Sequence, residues 1–491
     1  MIRRIHLGLA SLALAAGLVG CSALGSSDVS VAATTTETTT ATTSATTDSG
    51  SDELAALLAE NEQSHLMDGD TVYDESSVVD ISLNGTSATA SGDGVEISGS
   101  TVTITAGGVY RLSGSLTGQI VVAPDAQEVK VILNGVDLHS DTGSPFVVTD
   151  AEKVTLLLAA GTTNSMADAT TYAHTSDGAP SSTIDSSSDL TIAGSGTLRL
   201  TGNNNDAINS SDGLVIAEGT IEVTAVDDGI RGQDHVIISG GTVRVTATGD
   251  GVKADNETDT DRGFVWISGG ELTVASGDDG ITGFTDVAIS GGKVTVTESV
   301  EGLEAQTIVI ADGELSVTSS DDGINISGDA PTGLTISGGT VVVDADGDGI
   351  DSNGSASISG GSVTVLGPTN DGNGTIDVDQ GLVITGGELW ALGSSGMAET
   401  PTQASTQGFV FTTLASGATG EVTIADSNGT VIASQESTKQ YASILYSGPA
   451  IDPEGNYRIT VGGTEVDTVA SNQYQRGMQP PAGGGPGGER P

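Results

Sequence analysis

The chain has 491 residues, 65 acidic and 15 basic, for a formal charge of −50 at pH 7. That balance makes nucleic acid and anionic lipid surfaces poor partners and cations attractive ones. Seventy-one glycines and 3% aromatic residues suit repeated corners better than a compact globule, and a single cysteine rules out an intramolecular disulfide.

Residues 1–21 read as a bacterial export signal: Arg3 and Arg4, an apolar stretch from Leu7 to Val19, then Leu18-Val19-Gly20-Cys21. This tetrapeptide matches a lipobox, and the only cysteine occupies the position that lipidation needs. The expectation is an exported protein anchored at the cell surface by acyl chains on Cys21, because no later stretch is long and apolar enough to span a bilayer. Residues 22–77 are rich in Ser, Thr and Ala, with too little apolar content to fold, and are expected to form a flexible stalk. A short helical pattern interrupts it at Asp52–Glu60.

From Val78 the hydrophobic period is two, as in Val129-Lys-Val-Ile-Leu133 and Val154-Thr-Leu-Leu-Leu158, with Asn-Gly, Ser-Gly and Gly-Gly between the runs. Residues 78–200 are expected to be irregular initial coils with longer loops, one at 164–182. In residues 201–407 two phrases recur about every 22 residues. One is a Gly corner: Ile216-Ala-Glu-Gly219, Ile238-Ser-Gly-Gly241, Ile267-Ser-Gly-Gly270, Ile289-Ser-Gly-Gly292, and so on to Ile384-Thr-Gly-Gly387. The other is acidic: Asp206-Ala-Ile208, Asp228-Gly-Ile230, Asp250-Gly-Val252, Asp279-Gly-Ile281, Glu301-Gly-Leu303, Asp322-Gly-Ile324, Asp348-Gly-Ile350. Three short strands in such a period predict an all-β fold, one turn of a parallel β-helix per repeat, with aliphatic residues inward. A sandwich would need hairpins between matched strands and would not hold the period. Residues 408–470 keep the alternation but lose the repeat and are expected to cap the last coil. Residues 471–491, rich in Pro and Gly, are expected to be disordered.

Stacked coils lie about 4.8 Å apart, so Asp206, Asp228, Asp250, Asp279, Glu301, Asp322 and Asp348 should form one column, flanked by Asp227, Asp278, Asp321, Asp346 and Asp351. Unit charges at that spacing repel by about 1 kcal/mol in water and about 3 kcal/mol at an effective dielectric near 20. A hard cation such as Ca²⁺, which takes several carboxylate, carbonyl and water oxygens, would relieve this. The alternative is that Asp-Gly supplies only turn chemistry, with its charges splayed into water. Arg231 and Lys253 interrupt the acids. They read either as a subsite for a sugar carboxylate, or a base for β-elimination, or as simple neutralisation of neighbouring Asp residues. Arg199, Glu222 and Arg244 alternate in sign like a cross-strand ion-pair ladder. Phe264, Trp266 and Trp390 should point outward, either to stack on sugar or to lie beneath a covering segment. The five histidines show no zinc spacing.

Ile97-Ser-Gly-Ser-Thr-Val-Thr-Ile104, Gly108-Val-Tyr-Arg-Leu-Ser-Gly114, Val131-Ile-Leu-Asn-Gly135, Ser188-Asp-Leu-Thr-Ile-Ala-Gly-Ser-Gly-Thr197 and the acidic array together resemble a family of bacterial secreted or lipid-anchored proteins. Those proteins carry a carbohydrate-binding domain on a pectate-lyase-like, right-handed parallel β-helix. The resemblance implies non-catalytic binding of plant or acidic polysaccharide, such as cellulose or polygalacturonate, with Ca²⁺ along the coils. The array departs from the pattern at Glu301-Gly-Leu303 and in the loops at 255–262 and 367–374. The leading expectation is a monomeric, Ca²⁺-dependent polysaccharide-binding lipoprotein, with Arg231, Lys253 and Trp266 as candidate ligand contacts. The rivals are a Ca²⁺-dependent uronate lyase using Arg231 or Lys253, and a structural adhesin or spacer.

Overall fold

The computed structural model describes residues 49–176, 178–328 and 333–474. The signal and lipobox, the stalk up to residue 48 and the tail from residue 475 lie outside the described residues. Among the described residues no helix is long and apolar enough to cross a membrane.

The period-two segments wind into a parallel β-solenoid of about 12 turns with roughly 24 residues between equivalent positions. Loops at 168–183, 255–263 and 367–375 stretch the spacing beyond the regular repeat. One turn reads Ile208–Ser210, Gly213–Ile216, Thr220–Ala225, and these three strands define the first, second and third faces. First-face strands stack into their own sheet of 13 strands. The other two faces merge into one sheet because Asp286–Glu298 and Thr307–Ser319 continue unbroken around the corner.

Alternation decides which side chains enter the core. Ile208, Ile230, Val252, Ile281, Leu303, Ile324, Ile350 and Ile376 stack in register on the first face. Ile216, Ile238, Ile267, Ile289 and Ile310 do so on the second, and all belong to one buried cluster. Each such side chain contributes about 1.5–3 kcal/mol on burial, an upper bound set by an extended unfolded chain. The corner fixes the glycines. Gly241 sits at φ +81°, and a Cβ there would lie 2.7 Å from the Gly219 carbonyl oxygen of the turn below.

Antiparallel pairing covers the first turn and the third face of the last turn. At the first turn Val78–Gly85 pairs with Ala88–Ala90, and Val95–Ser98 with Thr101–Ile104. At the last, Glu388–Gly393 pairs with Val431–Ser447, which in turn pairs with Phe409–Ala425. This C-terminal unit has its own core, in which Trp390 packs against Tyr446 with ring centroids 4.5 Å apart.

The helix Ser49–Glu60 falls within the segment read as stalk, and residues 61–77 differ from that reading. They run along the solenoid and are tied to it at intervals: Asn61 Nδ2 donates to Asp286 Oδ2 at 3.0 Å, Arg262 pairs with Glu62 at 3.0 Å, Lys153 with Asp70 at 2.9 Å and Arg111 with Glu75 at 2.5 Å. The physical reason lies in the face they cover. The outward column of the second face is apolar at Val215, Ile237 and Trp266, and Leu66 packs on it beside Phe264.

Candidate functional site

From Ile208–Ser210 to Ile350–Ser352 the turn entering each first-face strand carries the acid, and its geometry is a ladder. Asp228 N–H donates to Asp206 Oδ1 at 3.2 Å, Asp250 to Asp228 at 2.8 Å, Asp279 to Asp250 at 3.0 Å and Glu301 to Asp279 at 3.1 Å. It resumes with Asp348 to Asp322 at 2.6 Å and Gly374 to Asp348 at 2.5 Å. Each aspartate thus uses one oxygen to accept the backbone amide of the next turn, which keeps the column in register. Glu301 breaks the series: its longer side chain accepts instead from Asn325 Nδ2 at 2.5 Å. The carbonyls of the column residues are also occupied. Gly229, Gly251, Gly280, Gly302 and Gly323 donate to those of Asp250, Asp279, Glu301, Asp322 and Asp348 at 2.8–3.0 Å, so the second carboxylate oxygens, apart from those of Asp228 and Asp250 that face Lys253, are left to meet a ligand.

The flanking acids alternate with uncharged residues. Backbone bonds order them as Asp227, Gly249, Asp278, Val300, Asp321, Gly347, so no two flanking carboxylates occupy consecutive turns. A Cβ at Gly347 would lie 2.4 Å from Asp321 Oδ1 and 2.5 Å from Asp322 Oδ1, and Gly249 stands in the same relation to Asp227 and Asp228. The glycines therefore leave room beside paired carboxylates. Asp346 leaves the group, since it pairs with Lys439 of the C-terminal unit at 2.9 Å.

Three residues along, the middle position of the first-face strand forms a second column: Asp185, Asn209, Arg231, Lys253, Thr282, Glu304, Asn325, Asp351, Asp377. Here the two bases find their partners. Lys253 Nζ lies 2.7 Å from Asp250 Oδ2 and 3.5 Å from Asp228 Oδ2. Arg231 donates through Nε and Nη2 to Asp255 at 2.9 and 2.7 Å, and through Nη1 to Asn209 at 3.2 Å. Burial opposes the Lys253 charge, but the bond to Asp250 and the field of Asp228 outweigh it and hold the amine protonated well above its ordinary range. Past Lys253 the two columns hold no Lys or Arg.

Two carboxylate triads form where that stretch begins, the first sharing Asp250 with Lys253. Asp250, Asp278 and Asp279 can bring one oxygen each within 4.8 Å of the others, and so can Asp279, Glu301 and Glu304. Between Lys253 and Glu304, Thr282 Oγ1 is buried with no hydrogen-bond partner. Burial, reinforced by Asp250 and Glu301, pushes Asp279 up to about 8. Burial likewise lifts Glu301, Asp348 and Asp206 to about 7 and Asp351 to about 6, and raises Asp228 and Asp322. All-oxygen donors and an orphaned hydroxyl suit a hard cation such as Ca²⁺ better than a thiolate- or imidazole-seeking metal. The residues that would hold it are Asp250, Asp278, Asp279, Glu301 and Glu304.

The sequence reading missed Glu304. Its signal was available, because it occupies the strand position of Lys253 and Arg231, two and three turns away. Trp266, read either as a sugar contact or as covered, is half-buried against the Val215, Ile237 and Phe264 cluster on which Leu66 also packs, its indole N–H donating to Ser290 at 2.9 Å. The apolar column needs cover, and residues 61–77 supply it. Phe264 is buried and stacks on His235, centroids 5.2 Å apart. In the third-face column Arg199 pairs with Glu222 at 2.7 Å, half-exposed and of small energetic worth.

Residues 98–340 match the family model described as carbohydrate-binding domain-containing protein. A relative with the same description from Acetivibrio thermocellus is 36% identical over 137 residues, 27% of this chain and 48% of that protein, so the chain spans about half the length of the curated relative it matches. A solved structure described as the polysaccharide lyase-like protein from C. thermocellum, in a gadolinium derivative, is 32% identical, covering 48% of this chain and 99% of that one, with a TM-score of 0.44. Over residues 98–340 the chain is thus similar to carbohydrate-binding domains.

Proposed function

We propose that this chain is a non-catalytic, calcium-dependent polysaccharide-binding protein, monomeric and held at the bacterial cell surface through Cys21, with an acidic, uronate-containing glycan as its ligand. The carrying observation is the pair of triads that share Asp279, beside the orphaned Thr282 Oγ1, at the border between Lys253 and the part of the face without Lys or Arg. A strongly acidic surface repels a polyuronate. Bound calcium would reverse the local sign and offer open coordination positions to sugar carboxylates.

The same geometry favours binding over elimination. A general base must accept a proton near the working pH, and Lys253 is held charged by Asp250 and Asp228 while Arg231 is committed to Asp255 and Asn209. The lipobox at Leu18–Cys21 supports the surface location.

Calorimetry with polygalacturonate tests the reading: saturable binding in calcium should be abolished by EDTA, and binding that survives chelation would sink the bridging mechanism. Ultraviolet absorbance of an unsaturated product, followed in the same calcium buffer, should stay flat. Replacing Cys21 by Ser should release the protein from the membrane fraction, and retention of Cys21→Ser there would overturn the anchor.

A further inference from the structure

The acid column does not run the length of the solenoid. In first-face register, the positions equivalent to Asp206 in the preceding turns are Ser182, Ser144, Gly118 and Ser100. Carboxylates give way to hydroxyls and a bare backbone. At that end a cavity of about 290 Å³ opens, and none of its lining residues is acidic, lysine or arginine. Ligand pockets run from roughly 300 to 1,000 Å³, so this one has room for a single sugar ring and little more.

Its walls are set by bonds within the chain. Ser140 Oγ accepts the amides of Thr142 at 3.4 Å and Gly143 at 3.1 Å, and Gln119 Nε2 donates to the Ser144 carbonyl at 2.8 Å. Tyr172 donates its hydroxyl proton to the buried Asp168 at 2.7 Å, which fixes the ring. Beside it, a Cβ at Gly143 would meet only Tyr172 Cδ2, at 3.9 Å, so glycine leaves that edge of the ring open to the cavity. The hydroxyls of Thr101 and Thr142 and the His174 imidazole, all on the lining, have no side-chain partner among the described residues. Fixed walls, unpaired hydroxyls and one aromatic ring match what recognises a pyranose.

We propose that this cavity binds one uncharged pyranose residue, a subsite distinct from the carboxylate face and independent of calcium. The proposal rests on the carbohydrate-binding reading above. An ionised uronate would be disfavoured here, because it would be desolvated close to Asp168 with no cation on the walls.

The test uses the full chain, with cellohexaose and mannohexaose as neutral probes and hexagalacturonate in calcium as the acidic one, read by calorimetry and saturation-transfer NMR. At least one neutral probe should bind equally in calcium and in EDTA. Gly143→Leu, which fills the cavity from a position with open space, should weaken that binding at least tenfold and leave both the thermal midpoint and hexagalacturonate binding unchanged. If Gly143→Leu lowers the midpoint, the smaller Thr142→Ala replaces it and should weaken neutral binding several-fold. Neutral binding that is absent, or unaffected by the variant used, while hexagalacturonate still binds would overturn the subsite alone. Loss of both arms in the native protein would overturn the carbohydrate reading with it.

Discussion

Replacing Asp279 by Asn isolates what the charge column costs. Asp279 belongs to both triads, and its Oδ1 accepts the Glu301 amide at 3.1 Å. Asparagine keeps that acceptor and removes the charge. Two carboxylates 4.8 Å apart repel by about 1 kcal/mol in water and about 3 kcal/mol at an effective dielectric near 20. The site lies at a half-exposed rim, so the lower half of that range applies to each neighbour. The sign follows from proton linkage. Folding raises Asp279 to about 8 from an unfolded value near 3.8, so the folded state binds more protons through that interval. Stability therefore falls as pH rises from about 4 to about 8, and flattens above. In EDTA at pH 8 the Asp279→Asn protein should be more stable than the native one by about 1–3 kcal/mol, with a shallower pH dependence in urea titrations followed by circular dichroism. Calcium should reverse the order, because the native protein gains by mass action, about 2.7 kcal/mol at a hundredfold excess over Kd, and the variant loses a ligand from both triads. A variant less stable than native in EDTA at pH 8 would refute the claim that these charges are uncompensated.

Lys253→Met removes the cation between Asp228 and Asp250, which lie 3.5 and 2.7 Å away. It should cost about 1–3 kcal/mol in chelator, the usual penalty for stranding a partly buried charge, and calcium should recover part of it; a loss that calcium leaves untouched, measured by the same titrations, would count against a shared face. Gly347→Ala drives a Cβ to 2.4 and 2.5 Å from the Asp321 and Asp322 oxygens and 2.6 Å from the Asp321 backbone carbon, so the turn must shift along with the carboxylates. Isothermal titration should show fewer or at least tenfold weaker calcium sites on the C-terminal turns, and urea titration a lower metal-free stability.

The scaffold was largely legible because each residue type repeats the same physical task in every turn. Gly241 and its equivalents mark corners where a side chain would strike the turn below, and Ile230, Val252 and Ile281 mark the inward position. The pairing of Lys253 with Asp228 and Asp250 was legible for the same reason, since period alone fixes which residues meet. Residues 61–77 were not. Asn61 bonds Asp286 across 225 positions of sequence, and that contact carries no period. The choice between the two readings of Trp266 was hidden with it, because alternation tells which side a residue faces and nothing of what lies over that side. The hydrogen-bonded ladder was also invisible, as it depends on aspartate being short enough for its oxygen to reach the next amide. Glu301, one methylene longer, shows the limit by turning to Asn325.

That ladder changes what the repeated acid means. If Asp-Gly served only the turn, asparagine would accept the next amide equally well and avoid the repulsion, yet the acid is kept through seven turns. The charge is compensated differently along the column. Lys253 stands over Asp228 and Asp250, built into the chain and independent of solution conditions. From Asp279 onward the compensation is left to protons or to a cation from outside, and burial pushes Asp279, Glu301 and Asp348 to about 8, 7 and 7. Near neutral pH, protons and calcium therefore compete for the same oxygens. Calcium affinity should rise steeply between about pH 6 and 8 as those protons leave, and an affinity flat across that interval, measured by titration at each pH, would mean that the ions bind elsewhere.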